Sequence, residues 1–207
     1  MSKLTKDLST MSSFRNDAAS APAHWAARMG YALGAIVVGS VLLTASARTQ
    51  IPFWPVPMTM QTLAVIVIAM TLGSRLGFVV VTAYVLEGLM GLPVFANTPA
   101  RGAGLAYVMG PTGGYLVGFC VAAYVCGWLA ERGLSANLWR AGLVNLVGTL
   151  IILAIGGAWL AHLIGPAKAW TFGVSPFLLS SLVKIALGGV LVVLIGRTPL
   201  KRLGPTR

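Results

Sequence analysis

Two ionisable side chains lie inside long apolar stretches of the chain, and they are the first candidates for a functional site. Glu87 interrupts an apolar run that ends near Gly91, and Lys184 lies within the last long apolar run. Ionisable groups inside membrane-spanning segments are costly, and they usually contact a ligand, an ion or one another. The sequence therefore predicts ligand contact at Glu87 and Lys184 or an ion pair between them, and these two roles are compatible.

Two connecting segments have the composition of binding loops. Residues 48–61 contain three prolines within six positions, which excludes a regular helix and predicts a stiff, strand-like connection. Residues 91–115 form a long glycine-rich stretch, and loops of this length commonly serve as lids or binding segments. The candidate ligand contacts from these loops are Gln61, Asn97, Arg101, Tyr107 and Tyr115. Phe53 and Trp54 are candidates for an apolar wall or gate, with an anchor at the membrane surface as the alternative.

The chain lacks the patterns of common catalytic and metal sites. No G-x-x-x-x-G-K-[ST] loop occurs in these 207 residues, so we do not expect this chain to hydrolyse nucleotide by itself. The four acidic residues and two histidines are scattered, which disfavours both a metal site and a Ser/His/Asp triad. We therefore predict no catalytic residue, no metal and no cofactor.

Membrane helices are the elements that must position these candidates. Apolar residues make up 57% of the chain and charged residues 9%, whereas soluble domains carry about 25% charged residues. The outer face of the folded chain must therefore meet lipid. The apolar runs predict an all-α bundle of six transmembrane helices, at residues 28–47, 60–73, 76–91, 113–130, 138–164 and 175–196.

The basic residues predict how this bundle is oriented. Eleven of the fifteen Lys and Arg fall in segments that face the cytoplasm if both termini are cytoplasmic, and three fall outside. This distribution explains the net charge of +11 without a nucleic-acid partner. Glu87 and Lys184 then lie in the outer half of the membrane, next to the two loops. We expect a disordered cytoplasmic tail at 1–27, one membrane domain at 28–197 and a basic cytoplasmic tail at 198–207.

Small residues recur at four-residue spacing on two of the predicted spans. Gly30 and Gly34, Ala35 and Gly39, and Gly114 and Gly118 are spaced so that helix backbones can approach closely in lipid. This spacing predicts either internal packing or, for Gly30, Gly34, Ala35 and Gly39, a docking face for another membrane subunit.

Four ordered segments carry a family resemblance. They are VPMTMQTL at 56–63, GLPVFA at 91–96, GPTGGYLVGF at 110–119, and PFL with KIAL within 176–187. Together they resemble the BioY family, the biotin-specific S components of energy-coupling factor (ECF) transporters. The resemblance implies a six-helix bundle in the bacterial cytoplasmic membrane, with a biotin pocket that opens outward and is gated by the first and third loops. It also implies uptake together with a transmembrane T subunit and ATPase subunits, with biotin as transported substrate rather than cofactor.

The chemistry of biotin agrees with the candidate residues. Biotin carries a ureido group with N–H donors and a carbonyl, a flat apolar bicycle and a carboxylate, so its pocket needs amide or carboxylate partners, an apolar wall and a cation. Gln61, Asn97 and Glu87 would serve the ureido group. Phe53, Trp54 and Tyr115 would form the wall, and Arg101 or Lys184 would bind the charged end.

One position departs from the family pattern. The family usually has Pro-Gly-Asp before the Leu-x-Lys of its last helix, whereas this chain has Leu179, Ser180 and Ser181 there. Ser181 can donate or accept a hydrogen bond but carries no charge. We therefore expect Glu87 to supply the missing carboxylate from a facing helix.

Three other functions remain open at this point. They are an S component for a different vitamin, a biotin carrier that works without an ATPase, and a membrane scaffold subunit that transports nothing. Binding of labelled biotin to the purified protein distinguishes the first and third of these from a biotin-binding protein.

Overall fold

Helices make up most of the chain in the computed structural model. It describes the backbone of residues 2–51, 55–98, 100 and 102–197, and the side chains of 25–50, 55–98, 100, 102–178 and 180–196. The helices are α1 (Ser2–Arg48), α2 (Gln61–Leu72), α3 (Ser74–Leu89), α4 (Leu105–Val108), α5 (Gly113–Leu129), α6 (Leu138–Ile164), α7 (Pro166–Ala169) and α8 (Ser175–Arg197). Two short turns, Ala130–Leu134 and Trp170–Val174, follow α5 and α7, and the first is kinked at Gly133, which has a φ of 87°.

The long helices lie where the apolar runs predicted spans. Five of them, α2, α3, α5, α6 and α8, begin and end within two residues of the predicted limits. The first helix differs, because α1 begins at Ser2 and not near residue 28. Residues 18–27, which fall in the predicted disordered tail, include six alanines, and alanine has the highest helix propensity of any residue. The predicted basic tail at 198–207 lies outside the described residues.

Helix length separates two groups of helices. Trp25–Arg48, Gly113–Leu134 and Leu138–Ile164 are long and apolar enough to cross a membrane, and the bent pair Pro166–Leu178 and Ser180–Gly196 makes a fourth span if it is counted as one. Helices α2 and α3 have 12 and 16 residues. At 1.5 Å per residue they are about 18 and 24 Å long, less than the roughly 30 Å of bilayer hydrocarbon. The described residues therefore contain three to four candidate spans, and six spans stay a prediction.

The outer face of α1 has the composition that lipid requires. Six large apolar side chains on this helix are more than half exposed: Trp25, Leu33, Val37, Val38, Val41 and Leu42. A contiguous apolar surface of this kind is unusual on a soluble monomer. It supports the prediction that the outside of the bundle faces lipid.

Glycines allow the closest helix contacts. The most extensive helix contact is between α5 and α6, and a methyl group at Gly118 would lie 3.1 Å from the Cα of Ile152. The space beside Gly114 is occupied by the side chain of Trp159. The predicted Gly114 and Gly118 spacing therefore serves packing within the chain.

The small residues of α1 divide between two environments. The side chain of Val80 occupies the space beside Gly39, so Gly39 packs against α3 and is not open to a partner, contrary to the docking prediction for this residue. In contrast, apart from the adjoining residues and the backbone of α1 itself, no described atom lies within 4 Å of where a side chain would begin at Gly30 or Gly34, and Ala35 is partly buried.

A short strand pair closes the first predicted loop. Strands β1 (Gln50–Ile51) and β2 (Met58–Thr59) pair antiparallel, with Gln50 opposite Thr59. This pairing agrees with the strand-like connection predicted from the prolines, and it holds Thr59 next to the first residue of α2. Residues 52–54 lie outside the described residues, and they include the predicted wall residues Phe53 and Trp54.

Candidate functional site

A cavity lies among α2, α5, α6 and α8, where the connections before α2 and after α3 meet. Its empty space is about 500 Å³, a volume that includes space open to the surroundings. All four segments that carry the family resemblance contribute to its wall, although they are far apart in sequence. The lining residues are Val56, Pro57, Thr59, Gln61, Thr62, Phe95, Ala96, Tyr107, Thr112, Tyr115, Leu116, Phe119, Ile152, Leu153, Phe177 and Lys184.

Lys184 places a positive charge in this cavity. Its Nζ donates hydrogen bonds to the backbone oxygen of Thr59, at 2.8 Å, and to Oγ1 of Thr62, at 3.4 Å. Both partners are neutral, and no acidic side chain among the described residues bonds to Lys184. An ammonium group has three donors, so one remains for a ligand oxygen. The site therefore favours a ligand with a negative group or a strong acceptor.

Gln61 is held beside Lys184 by a network of hydrogen bonds. The Thr59 hydroxyl donates to Oε1 of Gln61 at 3.0 Å and accepts from the Gln61 backbone N–H at 3.3 Å. Nε2 of Gln61 donates to the Tyr84 hydroxyl at 2.9 Å. Because Thr59 bonds to both Gln61 and Lys184, these residues form one polar cluster at the start of α2.

Aromatic rings form much of the apolar wall. The rings of Phe95 and Tyr107 stack with their centroids 4.9 Å apart, and Tyr115 and Phe177 lie 6.2 Å apart at a tilt of 31°. The Tyr115 hydroxyl donates to the backbone oxygen of Gly173 at 2.7 Å, which fixes the orientation of this ring. Flat aromatic faces beside a small polar cluster suit a ligand with a flat apolar body.

The structure brings half of the predicted substrate-binding residues together. Gln61, Tyr107, Tyr115 and Lys184 line the cavity, whereas Glu87, Asn97 and Ser181 are not among its lining residues. Ser181 is buried in α8, one turn before Lys184. Arg101 lies outside the described residues.

Glu87 contacts α1 and not the cavity. Its Oε2 accepts a hydrogen bond from the hydroxyl of Ser40, and neither residue bonds to Lys184. Glu87 lies on the side of α3 that faces α1, seven residues after Val80, whose side chain fills the space beside Gly39 of α1. This position favours a structural role for Glu87 over the predicted substitution for the family aspartate at position 181.

Asn97 takes part in the structure of the loop after α3. Its Oδ1 accepts a hydrogen bond from Nε2 of Gln50, and its backbone has a φ of 60°. Asparagine adopts this left-handed conformation more readily than most residues. Oε1 of Gln50 is buried and has no hydrogen-bond partner in the described structure. The Gln50–Asn97 contact thus joins the first predicted loop to the second.

Several lining residues were not among the predicted site residues. Phe95, Phe119 and Phe177 supply aromatic wall, and Thr62 and Thr112 supply hydroxyl groups. Each falls within one of the four segments that carry the family resemblance, so membership of these segments could have identified it as a site residue. Ile152 and Leu153 of α6 lie outside these segments, and nothing in an apolar run distinguishes them from residues that face lipid.

The apolar helices define a helical membrane protein, and a cavity lies among its helices. The BioY family model matches residues 20–200. The chain therefore belongs to the BioY family.

Individual relatives agree with this assignment. A probable biotin transporter BioY of Pyrococcus horikoshii is 37% identical over 145 residues, which cover 70% of this chain and 83% of the relative. The biotin transporter BioY of Thermotoga maritima is 36% identical over 164 residues, covering 79% and 94%. The 2.1 Å crystal structure of an S-component for biotin from an ECF-type ABC transporter has a TM-score of 0.66, at 22% identity, and covers 83% of this chain and 91% of that one. This last match shows a shared fold.

Proposed function

We propose that this protein binds biotin and serves in its uptake across the cytoplasmic membrane as the S component of an ECF-type transporter. The observation that carries the proposal is the convergence of the four family segments on one cavity. Relatives at 36–37% identity are named as biotin transporters, and the cavity offers the groups that biotin requires.

The cavity has complementary chemistry for each part of biotin. The paired rings of Phe95 and Tyr107, and of Tyr115 and Phe177, provide flat apolar surface for the bicycle. Lys184 has one free donor and no acidic partner among the described residues, so it binds the carboxylate in this proposal. The ureido group then requires amide and hydroxyl partners, for which Gln61 and Thr112 line the same cavity.

The membrane arrangement is also part of the proposal. We infer six spans in the bacterial inner membrane, both termini in the cytoplasm and a cavity that opens outward. The charge distribution of eleven against three Lys and Arg supports the orientation. Helices α2 and α3 are short for a bilayer of average thickness, and local thinning of the bilayer would accommodate them.

Energised uptake in this proposal requires a T subunit and ATPase subunits. The chain contains no phosphate-binding loop of its own in its 207 residues. The open side of α1 at Gly30 and Gly34, next to Ala35, is the surface we assign to the T subunit, because small residues allow another helix to approach closely.

The test is equilibrium binding of radiolabelled biotin to the purified full chain in nanodiscs. We expect saturable binding that unlabelled biotin displaces and that thiamine and riboflavin do not. Displacement by one of those vitamins would reassign the substrate. Absence of saturable binding to a folded preparation would favour the scaffold function and overturn the proposal.

A further inference from the structure

Tyr84 of α3 joins the polar cluster of the cavity to the loop after α3, although it does not line the cavity. Its side chain is fully buried. Its hydroxyl accepts a hydrogen bond from Nε2 of Gln61 at 2.9 Å and donates one to the backbone oxygen of Val94 at 2.9 Å. A phenol hydroxyl can donate and accept at the same time, so both bonds are satisfied together.

The loop packs on α3 at the same place. The ring of Phe95, the residue after Val94, meets the Tyr84 ring edge to face, with 5.5 Å between centroids. Phe95 also fills the space beside Gly88, one turn along α3. Phe95 and Ala96 are wall residues of the cavity, so this loop cannot move away from the cavity without breaking its contacts with Tyr84.

Hydrogen bonds on either side of Thr59 connect the cation to this loop. Lys184 donates to the backbone of Thr59, the Thr59 hydroxyl donates to Gln61, Gln61 donates to Tyr84, and Tyr84 donates to Val94. A ligand that bonds to Lys184 or Gln61 therefore acts on the same network that holds the loop. The bonds that run from the Thr59 hydroxyl through Gln61 and Tyr84 to Val94 strengthen one another in a buried environment.

We propose that Tyr84 is a positioning residue whose hydroxyl ties the loop at residues 91–98 to the polar cluster of the cavity and thereby slows the release of bound substrate. The inference rests on the proposed function, because it takes biotin as that substrate. Release requires the loop to lift, and the Tyr84–Val94 hydrogen bond must break when it does. Loss of one buried neutral hydrogen bond corresponds to roughly a two- to tenfold faster release.

The test compares Tyr84→Phe with Thr82→Val. Tyr84→Phe removes the hydroxyl and leaves the ring in its contacts with Phe95. Thr82→Val is the matched control, because it removes a hydroxyl of α3 whose partner is Cys120, 3.7 Å away and outside the cavity wall. Release is measured by chasing bound labelled biotin with unlabelled biotin, and hydrogen exchange of residues 92–98 is measured without ligand.

We expect Tyr84→Phe to speed biotin release by roughly two- to tenfold and to speed exchange at residues 92–98, with an association rate within about twofold of the wild type. Thr82→Val should change neither. A Tyr84→Phe protein that releases biotin at the wild-type rate would overturn the inference, as would equal acceleration in both variants. If the wild type binds no biotin, the proposed function fails, and exchange at residues 92–98 still decides whether Tyr84 holds the loop.

A second variant covers the case in which Tyr84→Phe does not fold. Gly88→Ala keeps Tyr84 and places a methyl group where the Phe95 ring packs on α3. We expect it to speed release and loop exchange as well, because it separates the loop from the same helix. Unchanged release in Gly88→Ala would count against the inference.

Discussion

Replacing Lys184 with methionine should weaken biotin binding, because Lys184 is the only cationic side chain among the described residues that line the cavity. Methionine keeps a long unbranched apolar side chain, so the packing of α8 is largely retained. The ammonium group and its three donors are lost, including the one that is not used by Thr59 or Thr62. The change therefore isolates the charge of Lys184.

The size of the effect follows from the kind of bond that is lost. A hydrogen bond to a charged group contributes about 1.5–3 kcal/mol, which corresponds to roughly a 10- to 150-fold rise in Kd. Lys184 is only partly buried, and solvent screening places the expected value in the lower part of that range. We expect Lys184→Met to raise the Kd of biotin at least tenfold.

The assay compares biotin with biotin methyl ester, which keeps the bicycle and the ureido group and lacks the negative charge. Wild-type protein should prefer biotin to the ester by about tenfold or more, whereas Lys184→Met should bind the two within about threefold of each other. Lys168→Ala is the control, because it removes an exposed cation of α7 outside the cavity wall. Melting temperatures without ligand report any loss of the Thr59 contact.

Two results would refute this reasoning. A folded Lys184→Met protein with wild-type affinity for biotin would show that Lys184 does not contact the ligand. Equal weakening for biotin and for the ester would show that Lys184 bonds to a group that both share, such as the ureido carbonyl, and that the carboxylate lies elsewhere.

Three further predictions follow from the described contacts. Glu87→Gln should lower the melting temperature without ligand by about 2–4 °C, since the hydrogen bond from Ser40 loses a charged acceptor. The Kd of biotin should stay unchanged. A loss of affinity at an unchanged melting temperature would instead support direct contact between Glu87 and biotin. Gly156→Ala should weaken biotin binding, because the Tyr115 ring fills the space beside Gly156 and would be pushed into the cavity. Gly142→Ala should not, because Gly142 lies on the same helix but has no packing neighbour within 4 Å. Equal affinities in the two variants would contradict this packing argument. Cells that contain this protein but lack every ECF T subunit and ATPase should fail to concentrate labelled biotin, and accumulation against a gradient there would favour a carrier that works alone.

The sequence alone determined where five of the long helices lie and identified four segments that contribute to the cavity wall. Apolar run length is a local property, and five predicted spans match helices to within two residues at each end. The prolines of residues 48–61 predicted the extended connection that contains β1 and β2. The four family segments predicted the cavity, because each of them contributes to its wall.

The direction of individual side chains was decided only by the tertiary structure. Glu87 and Lys184 both lie in apolar runs, yet Lys184 faces the cavity and Glu87 faces Ser40 of α1. Tyr84 was not predicted as a site residue from the sequence, yet its hydroxyl forms hydrogen bonds both with Gln61 and with the loop after α3. In a helix of a soluble protein the exposed face is polar and the buried face is apolar, so the sequence shows which residues are buried. Here the face toward lipid and the face toward the core are both apolar. The rotation of each helix about its axis is therefore set by contacts between distant segments, and those contacts exist only in the folded bundle.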